Sequence, residues 1–173
     1  MRIPVDAELY NACLDSVQKN LCSRGANDNS SGNFMQQLYG NIAENLVRRQ
    51  LGIEEKIGYL DGPDAGWDIE YAGLKIDIKT TIYNEDPQPY HEYHVPIYQM
   101  RYSNDAYIWC NYNTTTDVVT VCGFISKPTF IFVRKELPKG TRKEEPNGKS
   151  YTARYTSYYV TYNELKQIDF NKK

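Results

Sequence analysis

Residues 68–79 of the chain read DIEYAGLKIDIK, and their alternation of polar and apolar residues is typical of a β-hairpin. The two alternating runs flank Ala72-Gly73, which predicts a tight turn at these residues. With that turn, Asp68 lies opposite Asp77 on the neighbouring strand. The period of two separates an apolar face from a charged face. The apolar face consists of Ile69, Tyr71, Leu74, Ile76 and Ile78, and the charged face of Asp68, Glu70, Lys75, Asp77 and Lys79.

The paired acids of this hairpin predict a metal site. Directly opposed Cβ atoms lie about 4.5–5.5 Å apart, so two carboxylates there repel each other unless a positive charge lies between them. Mg²⁺ keeps several waters and needs only one or two carboxylates, which makes Asp68 and Asp77 candidate ligands and the Ile78 carbonyl a third. Lys79 projects from the same face roughly 6.5–7 Å further along, where its ammonium would orient or deprotonate a water that attacks a phosphate.

An amphipathic helix is predicted upstream of the hairpin, over residues 33–50, with Gly52 as its terminator. Glu44 lies at the border of its apolar stripe. In an isolated helix this position would be solvated, but the acidic face of the hairpin makes Glu44 a candidate third acid. Gly40 would let the helix approach the sheet or a ligand closely.

These residues resemble the PD-(D/E)XK nuclease superfamily, which includes many restriction endonucleases, Holliday-junction resolvases and repair nucleases. The resemblance is local and rests on Gly40-x-x-x-Glu44, Asp68 and Asp77-Ile78-Lys79-Thr80. It implies an α/β fold with a restriction-endonuclease-like core, in which helices flank a mixed central β-sheet. It also implies Asp68 and Asp77 as metal ligands, Lys79 as the catalytic lysine and Glu44 as the helical acid of the metal site.

The activity that the resemblance implies is that of a deoxyribonuclease using one or two Mg²⁺ ions, with Mn²⁺ expected to substitute. An endonuclease acting on duplex or branched DNA is favoured, and a homodimer is expected because many such enzymes cut one strand per active site. A non-catalytic nucleic-acid-binding or assembly protein that retains the nuclease-like fold is the alternative. A third interpretation is a structural hairpin with cross-strand ion pairs and no metal.

Other residues offer competing interpretations. Pro63-Asp64 spells the first two letters of the motif, but Asp64 lies about 13 Å of extended chain before Asp68, so Asp68 is preferred. His91 and His94, with four cysteines elsewhere, raise the possibility of zinc, although their spacing fits no zinc template. Ten basic residues are candidate phosphate contacts, each also explicable as a solvated surface charge: Arg48, Arg49, Lys56, Lys127, Arg134, Lys135, Arg142, Lys143, Lys149 and Arg154.

Composition limits the classes of protein to which this chain can belong. A net charge of −2 counts against a protein that coats nucleic acid non-specifically. No apolar run approaches the roughly 20 residues of a membrane span, and the N-terminus lacks a signal-peptide pattern, so a cytoplasmic protein without membrane contact is expected. The four cysteines are expected to be reduced and mostly buried. The sixteen tyrosines suit packing in half-buried strands better than base stacking.

The remaining segments predict one domain with three parts: an N-terminal helical arm and loop (1–32), a catalytic core (33–125) and a C-terminal extension (126–173). Strands are expected at 106–112, 118–125 and 157–160, and helices at 6–21, 127–137 and 162–167. Residues 80–89 and 138–150 are expected to be loops.

Overall fold

The structure, a computed structural model, describes residues 1–24, 33–57, 66–148, 150–168 and 170. For residues 20–24 it describes the backbone only. Its helices are α1 (Ala7–Arg24), α2 (Phe34–Leu51) and α3 (Lys127–Val133). Its strands are β1 (Arg2–Pro4), β2 (Ile69–Tyr71), β3 (Leu74–Tyr83), β4 (Glu92–Pro96), β5 (Ala106–Asn113), β6 (Val118–Ser126), β7 (Lys135–Leu137), β8 (Arg142–Glu144), β9 (Ser150–Thr152) and β10 (Ser157–Thr161). Short 3₁₀ turns cover Ile97–Arg101 and Tyr162–Glu164.

The ends of the first two helices follow from their capping residues. Asp6 accepts a hydrogen bond from the Leu9 amide at 2.8 Å and so caps α1. Asn33 and Gln36 form a reciprocal capping box at the start of α2. Gly52 ends α2 in the left-handed conformation, at φ 69°, and donates to the last carbonyls of the helix. The helix predicted over 33–50 is therefore confirmed.

The central sheet has the strand order β1-β6-β5-β3-β2 and is mixed. β3 and β5 are parallel, whereas the β2–β3, β5–β6 and β1–β6 pairs are antiparallel. A second, antiparallel sheet has the order β4-β10-β7, and β8 and β9 form a separate hairpin. The architecture is thus mixed α/β, as the sequence predicts.

Each face of the central sheet carries its own hydrophobic core. On one face, α1 and α2 pack on the sheet through residues that include Leu9, Leu38, Ile42, Ile76 and Ile108. On the other face, β4, β10 and α3 pack on Tyr107, Trp109, Cys122 and Ile125. Tyr93, Tyr107 and Tyr112 are among the largest fully buried side chains, so packing is the role of these three tyrosines.

Several predicted boundaries are wrong. Residues 80–83 belong to β3, which pairs with β5 from Ile76 to Tyr83. α3 ends at Val133, and part of its predicted continuation forms β7. The expected loop at 138–150 contains β8 and the first residue of β9. After the turn at Tyr162–Glu164, Lys166 bridges to Phe124 instead of continuing a helix. The end of β3 and strand β7 are set by partners distant in sequence, on β5 and β10, which local patterns do not encode. β8 and β9 form a local hairpin, and their strands of three residues are too short to show a period.

Two further expectations can be compared with the described residues. Cys13, Cys110 and Cys122 are free and buried, as predicted, and the side chain of Cys22 lies outside the described part. Across the described ranges, the helices include none with the length and apolarity to cross a membrane.

Candidate functional site

The hairpin forms with the predicted turn. Ala72 and Gly73 adopt φ angles of 51° and 78°, and the strands pair from Ile69–Ile76 to Tyr71–Leu74. Ile69 and Ile76 are buried against the helices, but Tyr71 and Leu74, beside the turn, are each 41% exposed. The apolar face therefore reaches the core only at the end of the hairpin away from the turn.

The predicted cross-strand pair of Asp68 and Asp77 is wrong, because β2 begins at Ile69 and its ladder with β3 ends at the Ile69–Ile76 pair. The edge of β3 beyond Ile76 is instead covered by the Asp68 side chain, whose Oδ2 accepts a hydrogen bond from the Ile78 amide at 2.5 Å. In a strand the N–H and C=O of one residue point to the same side. The Ile78 carbonyl is thus directed to the same edge as the Asp68 carboxylate, as its predicted role requires.

Asp77 and Lys79 form an ion pair on the next part of this strand, with 2.8 Å between Asp77 Oδ2 and Lys79 Nζ. They share a face with Tyr107 and Trp109, their register partners on β5. Asp77 is only 5% exposed. A buried carboxylate is stable only when hydrogen-bonded or paired, and Lys79 supplies the pairing charge.

The charges of the site alter the ionisation of Asp68. Burial, the Asp77 carboxylate and the Glu44 carboxylate together raise the pKa of Asp68 well above 3.8, while the Ile78 amide and Lys79 oppose this rise. The carboxylates of Glu44 and Asp77 therefore both act electrostatically on Asp68. The three acids do not form a metal-binding group within the described residues.

The pKa of Lys79 is raised, whereas burial alone would lower the pKa of an unpaired lysine. Burial lowers the pKa of Lys79, but the charge of Asp77 and its hydrogen bond outweigh burial, so the pKa is raised overall. Lys79 is accordingly an ammonium ion near neutral pH. It can donate hydrogen bonds and offset negative charge, but it is a poor acceptor for a proton.

Glu44 is held by a buried arginine one helical turn further along α2. Arg48 Nε donates to Glu44 Oε1 at 2.9 Å, and a second nitrogen of Arg48 donates to the Asp68 carbonyl. Arg48 is only 7% exposed, so its interpretation as a solvated surface charge is wrong. The expected close approach of the sheet at Gly40 is also wrong, because a Cβ there would meet no atom of the described residues within 4 Å outside the backbone of its own helix.

The donor set of this site fits a magnesium ion that is shared with water and substrate. Within residues 1–24, 33–57, 66–148, 150–168 and 170, no three His, Cys, Asp or Glu side chains form a complete metal-binding group. Mg²⁺ does not require one, since it commonly takes one or two carboxylates and fills its octahedral shell with water and phosphate oxygens. Asp68, Asp77 and the Ile78 carbonyl are the oxygen donors that would hold it.

Lys127 is the basic residue that the structure adds to the site. Its ammonium donates to the Tyr102 carbonyl and to Asn104 Oδ1, and the charge of Asp77 acts on it. It also lines an open groove with a volume of about 490 Å³. The sequence identifies Lys127 only as one of ten basic residues, because its proximity to Asp77 arises from the packing of α3 on the sheet.

The structure gives different outcomes for the Asp64, zinc and hairpin ion-pair interpretations. Asp64 lies outside the described residues. His91 and His94 belong to separate networks, with His91 near Glu85 and His94 bonded to Glu92 and Ser157. The described residues therefore contain no zinc group around them. In the hairpin, Glu70 faces Lys75 as expected, and the Lys75 ammonium lies 4.1 Å from the centre of the Trp67 ring.

No family model, curated protein or solved structure matches the chain.

Proposed function

We propose that this chain is a Mg²⁺-dependent endodeoxyribonuclease with a restriction-endonuclease-like core, in which Asp68 and Asp77 hold the metal. The observation that carries the proposal is the arrangement of two acids and an ammonium around β3. Asp77 and Lys79 form an ion pair on one face of the strand, and the Asp68 carboxylate binds the Ile78 amide at its edge, within the electrostatic reach of Asp77. Two acids and an ammonium in this arrangement suit phosphodiester hydrolysis, which depends on positioning and charge stabilisation. Mn²⁺ is expected to substitute for Mg²⁺.

The metal, when bound, would activate a water and shield the phosphate charge. The chain's own residues provide the rest. Asp68 is fixed by the Ile78 amide, and this bond orients its carboxylate at the strand edge. Lys79, protonated beside Asp77, would donate a hydrogen bond to the attacking water or to a phosphate oxygen, and it would not act as the base.

The proposed substrate is duplex or branched DNA, and a homodimer would present one site to each strand. The small net charge of −2 means that phosphate contacts would come from local basic side chains. Lys127 is one such side chain, since it lies within the electrostatic reach of Asp77 and lines an open groove.

Plasmid nicking tests the proposal. Supercoiled, linear and branched DNA would be incubated with the wild-type chain and with Asp77→Asn, Lys79→Met and Lys75→Met, in Mg²⁺, Mn²⁺ and EDTA. Asp77→Asn and Lys79→Met are expected to lower the cleavage rate by a factor on the order of 10²–10³. Lys75→Met is the matched control, because Lys75 lies on the same strand and face but stacks on Trp67.

Equal cleavage by all four proteins would reject the assigned residues. Failure of the wild-type chain to cleave any DNA form, combined with measurable Mn²⁺ binding, would favour the non-catalytic nucleic-acid-binding alternative. Absence of both cleavage and metal binding would leave the structural hairpin as the explanation.

A further inference from the structure

Two half-exposed tyrosines occupy neighbouring positions where β4 ends and β10 begins. The two strands pair in antiparallel register, and beyond their last pair the Ile97 amide donates to the Thr156 carbonyl at 3.2 Å. One residue further, the same register brings Tyr98 and Tyr155 together. Each of these tyrosines is 49% exposed, whereas Tyr93 on β4 is fully buried. Packing therefore leaves a large part of both rings open to a ligand.

The charges along these two segments are positive. Arg101 ends the 3₁₀ turn that contains Tyr98, and Arg154 precedes Tyr155 in the chain. Both arginines are exposed. Residues 97–103 and 153–157 contain no aspartate or glutamate. Aromatic rings among arginines match a ligand that combines flat rings with negative charge, as a nucleic acid does.

The tyrosine pair lies on the side of the central sheet that carries the candidate site. β4 and β10 pack on the face that includes Trp109, and Lys79 shares this face with Trp109, its register partner. Burial and Tyr98 raise the pKa of Tyr155, whereas Arg154 and Lys79 oppose the rise. Tyr155 is therefore within the electrostatic reach of the proposed catalytic lysine.

The 3₁₀ turn also connects the pair to the other basic residue near the site. Tyr102, which follows the turn, donates its amide hydrogen to the Gln99 carbonyl, and its own carbonyl accepts a hydrogen bond from Lys127. The charge of Asp77 acts on Lys127. The segment from Tyr98 to Tyr102 thus extends from the exposed rings to a cation of the candidate site.

We propose that Tyr98 and Tyr155 stack on unpaired nucleobases beside the phosphate that is cut, so that the substrate is DNA with a branch or a single-stranded segment. This inference rests on the proposed nuclease function and selects among its substrates. Bases inside a duplex stack on one another, so only unpaired bases present a free face to a protein ring. Arg101 and Arg154 would contact the flanking phosphates, whatever the sequence.

Binding in EDTA tests this inference, because neither a metal ion nor cleavage then contributes. The probes are a fluorescent DNA duplex, the same duplex with two unpaired arms, and the armed duplex with abasic sites in place of the unpaired bases. Fluorescence anisotropy follows the titration of each probe with the full chain. The wild-type chain is expected to bind the armed duplex about 5–100 times more tightly than either other probe. Abasic sites keep the phosphates, so they separate stacking from charge.

Variants assign the preference to the two rings. Tyr98→Ala and Tyr155→Ala are each expected to lose most of it, whereas Tyr98→Phe and Tyr155→Phe keep the ring and the preference. Tyr71→Ala is the matched control, because Tyr71 is similarly exposed, at 41%, but lies beside the hairpin turn. Arg101→Met and Arg154→Met are expected to weaken binding to all three probes equally and to reduce its salt dependence.

The outcomes separate this inference from the proposed function. Equal affinity of the wild-type chain for the armed duplex and its abasic form would overturn the stacking role, and this comparison needs no variant to fold. If the wild-type chain also cuts plasmid DNA in that case, the proposed function stands alone. Absence of both binding and cleavage would overturn both. A wild-type dimer that Tyr98→Ala and Tyr155→Ala convert to monomers in sedimentation velocity, with unchanged DNA binding, would assign the rings to an interface between two copies instead.

Discussion

At the scale of single residues, the like charges near Asp68 lower the stability of the folded state. Asp68 binds its proton more tightly in the folded chain than in the unfolded one, because burial, Asp77 and Glu44 raise its pKa well above 3.8. A group of this kind destabilises the folded state as the pH rises from the unfolded pKa through the folded pKa. Without metal, the chain should therefore lose stability over this range.

Replacement of Asp68 by asparagine removes this effect. Asp68→Asn can still accept the Ile78 hydrogen bond, so we expect a higher melting temperature than wild type in EDTA near neutral pH and a flatter dependence on pH. Melting curves from about pH 4 to about pH 8 would measure both. Glu70→Gln, an exposed acid of the same hairpin, is the control. A lower melting temperature for Asp68→Asn, with the slope of wild type, would contradict the prediction.

The sequence contains much of this site but not all of it. Asp77, Lys79 and the turn could be predicted because strand alternation and a Gly-containing turn are local properties. Arg48 could not, although its spacing from Glu44 allows an ion pair on any helix surface. Its burial depends on the Asp68 carbonyl, twenty residues further along the chain, and that contact exists only after the hairpin has docked on α2.

At the scale of elements, β6 and the C-terminal segment meet where only a glycine fits. A Cβ on Gly123 would lie 2.7 Å from the Lys166 carbonyl oxygen and 2.8 Å from Leu165 Cβ. The same segment exchanges backbone hydrogen bonds between Phe124 and Lys166 at 2.8 and 2.9 Å. A side chain at this position must push the C-terminal segment off the sheet.

We expect Gly123→Ala to lower the free energy of unfolding by roughly 2 kcal/mol or more, since backbone atoms cannot move aside as a flexible side chain can. Gly40→Ala is the matched control within α2, where a Cβ meets nothing within 4 Å in the described part of the chain beyond its own helix backbone. There the change should stabilise the chain by about 0.5–1 kcal/mol, because alanine loses less entropy in a helix. Urea denaturation measures both, and equal effects would refute the clash.

The elements that sequence patterns predict well are those with strong local signals. α2 has an N-cap, an apolar stripe and a terminating glycine, and β5 and β6 have continuous apolar runs. The three-residue strands β7, β8 and β9 are too short to carry a period. Sequence patterns do not predict the last part of β3, residues 80–83, because polar and proline-containing residues follow it. These residues form a strand because they pair with β5.

At the scale of the whole molecule, a half-buried carboxylate connects the second sheet to the hairpin of β8 and β9. Glu92 on β4 accepts hydrogen bonds from Lys143 on β8, from the Tyr151 hydroxyl on β9 at 3.0 Å, and from His94 Nε2 at 3.3 Å. The Lys143 ammonium also lies 4.3 Å from the centre of the Tyr159 ring on β10. One acid thus joins elements that the sequence shows only as separate charged segments.

The ionisation of Glu92 predicts how this connection responds to acid. Burial opposes its ionisation, but hydrogen bonds from His94, Lys143 and Tyr151 outweigh burial and lower its pKa from 4.5 to about 2. A carboxyl group with a lowered pKa stabilises the fold fully above its unfolded pKa and loses that contribution as the pH falls through the folded one. The shift corresponds to about 3 kcal/mol, lost between about pH 4.5 and about pH 2.

Glu92→Gln should therefore be less stable than wild type at neutral pH by roughly 2–3 kcal/mol and should lose less stability on acidification. Urea denaturation at a series of pH values measures both effects. Glu144→Gln, an exposed acid on β8, should leave the wild-type pH dependence unchanged. If Glu92→Gln and Glu144→Gln show the same loss of stability between about pH 4.5 and about pH 2, the hairpin is not held by Glu92, and packing of the tyrosines around Lys143 would have to account for its position.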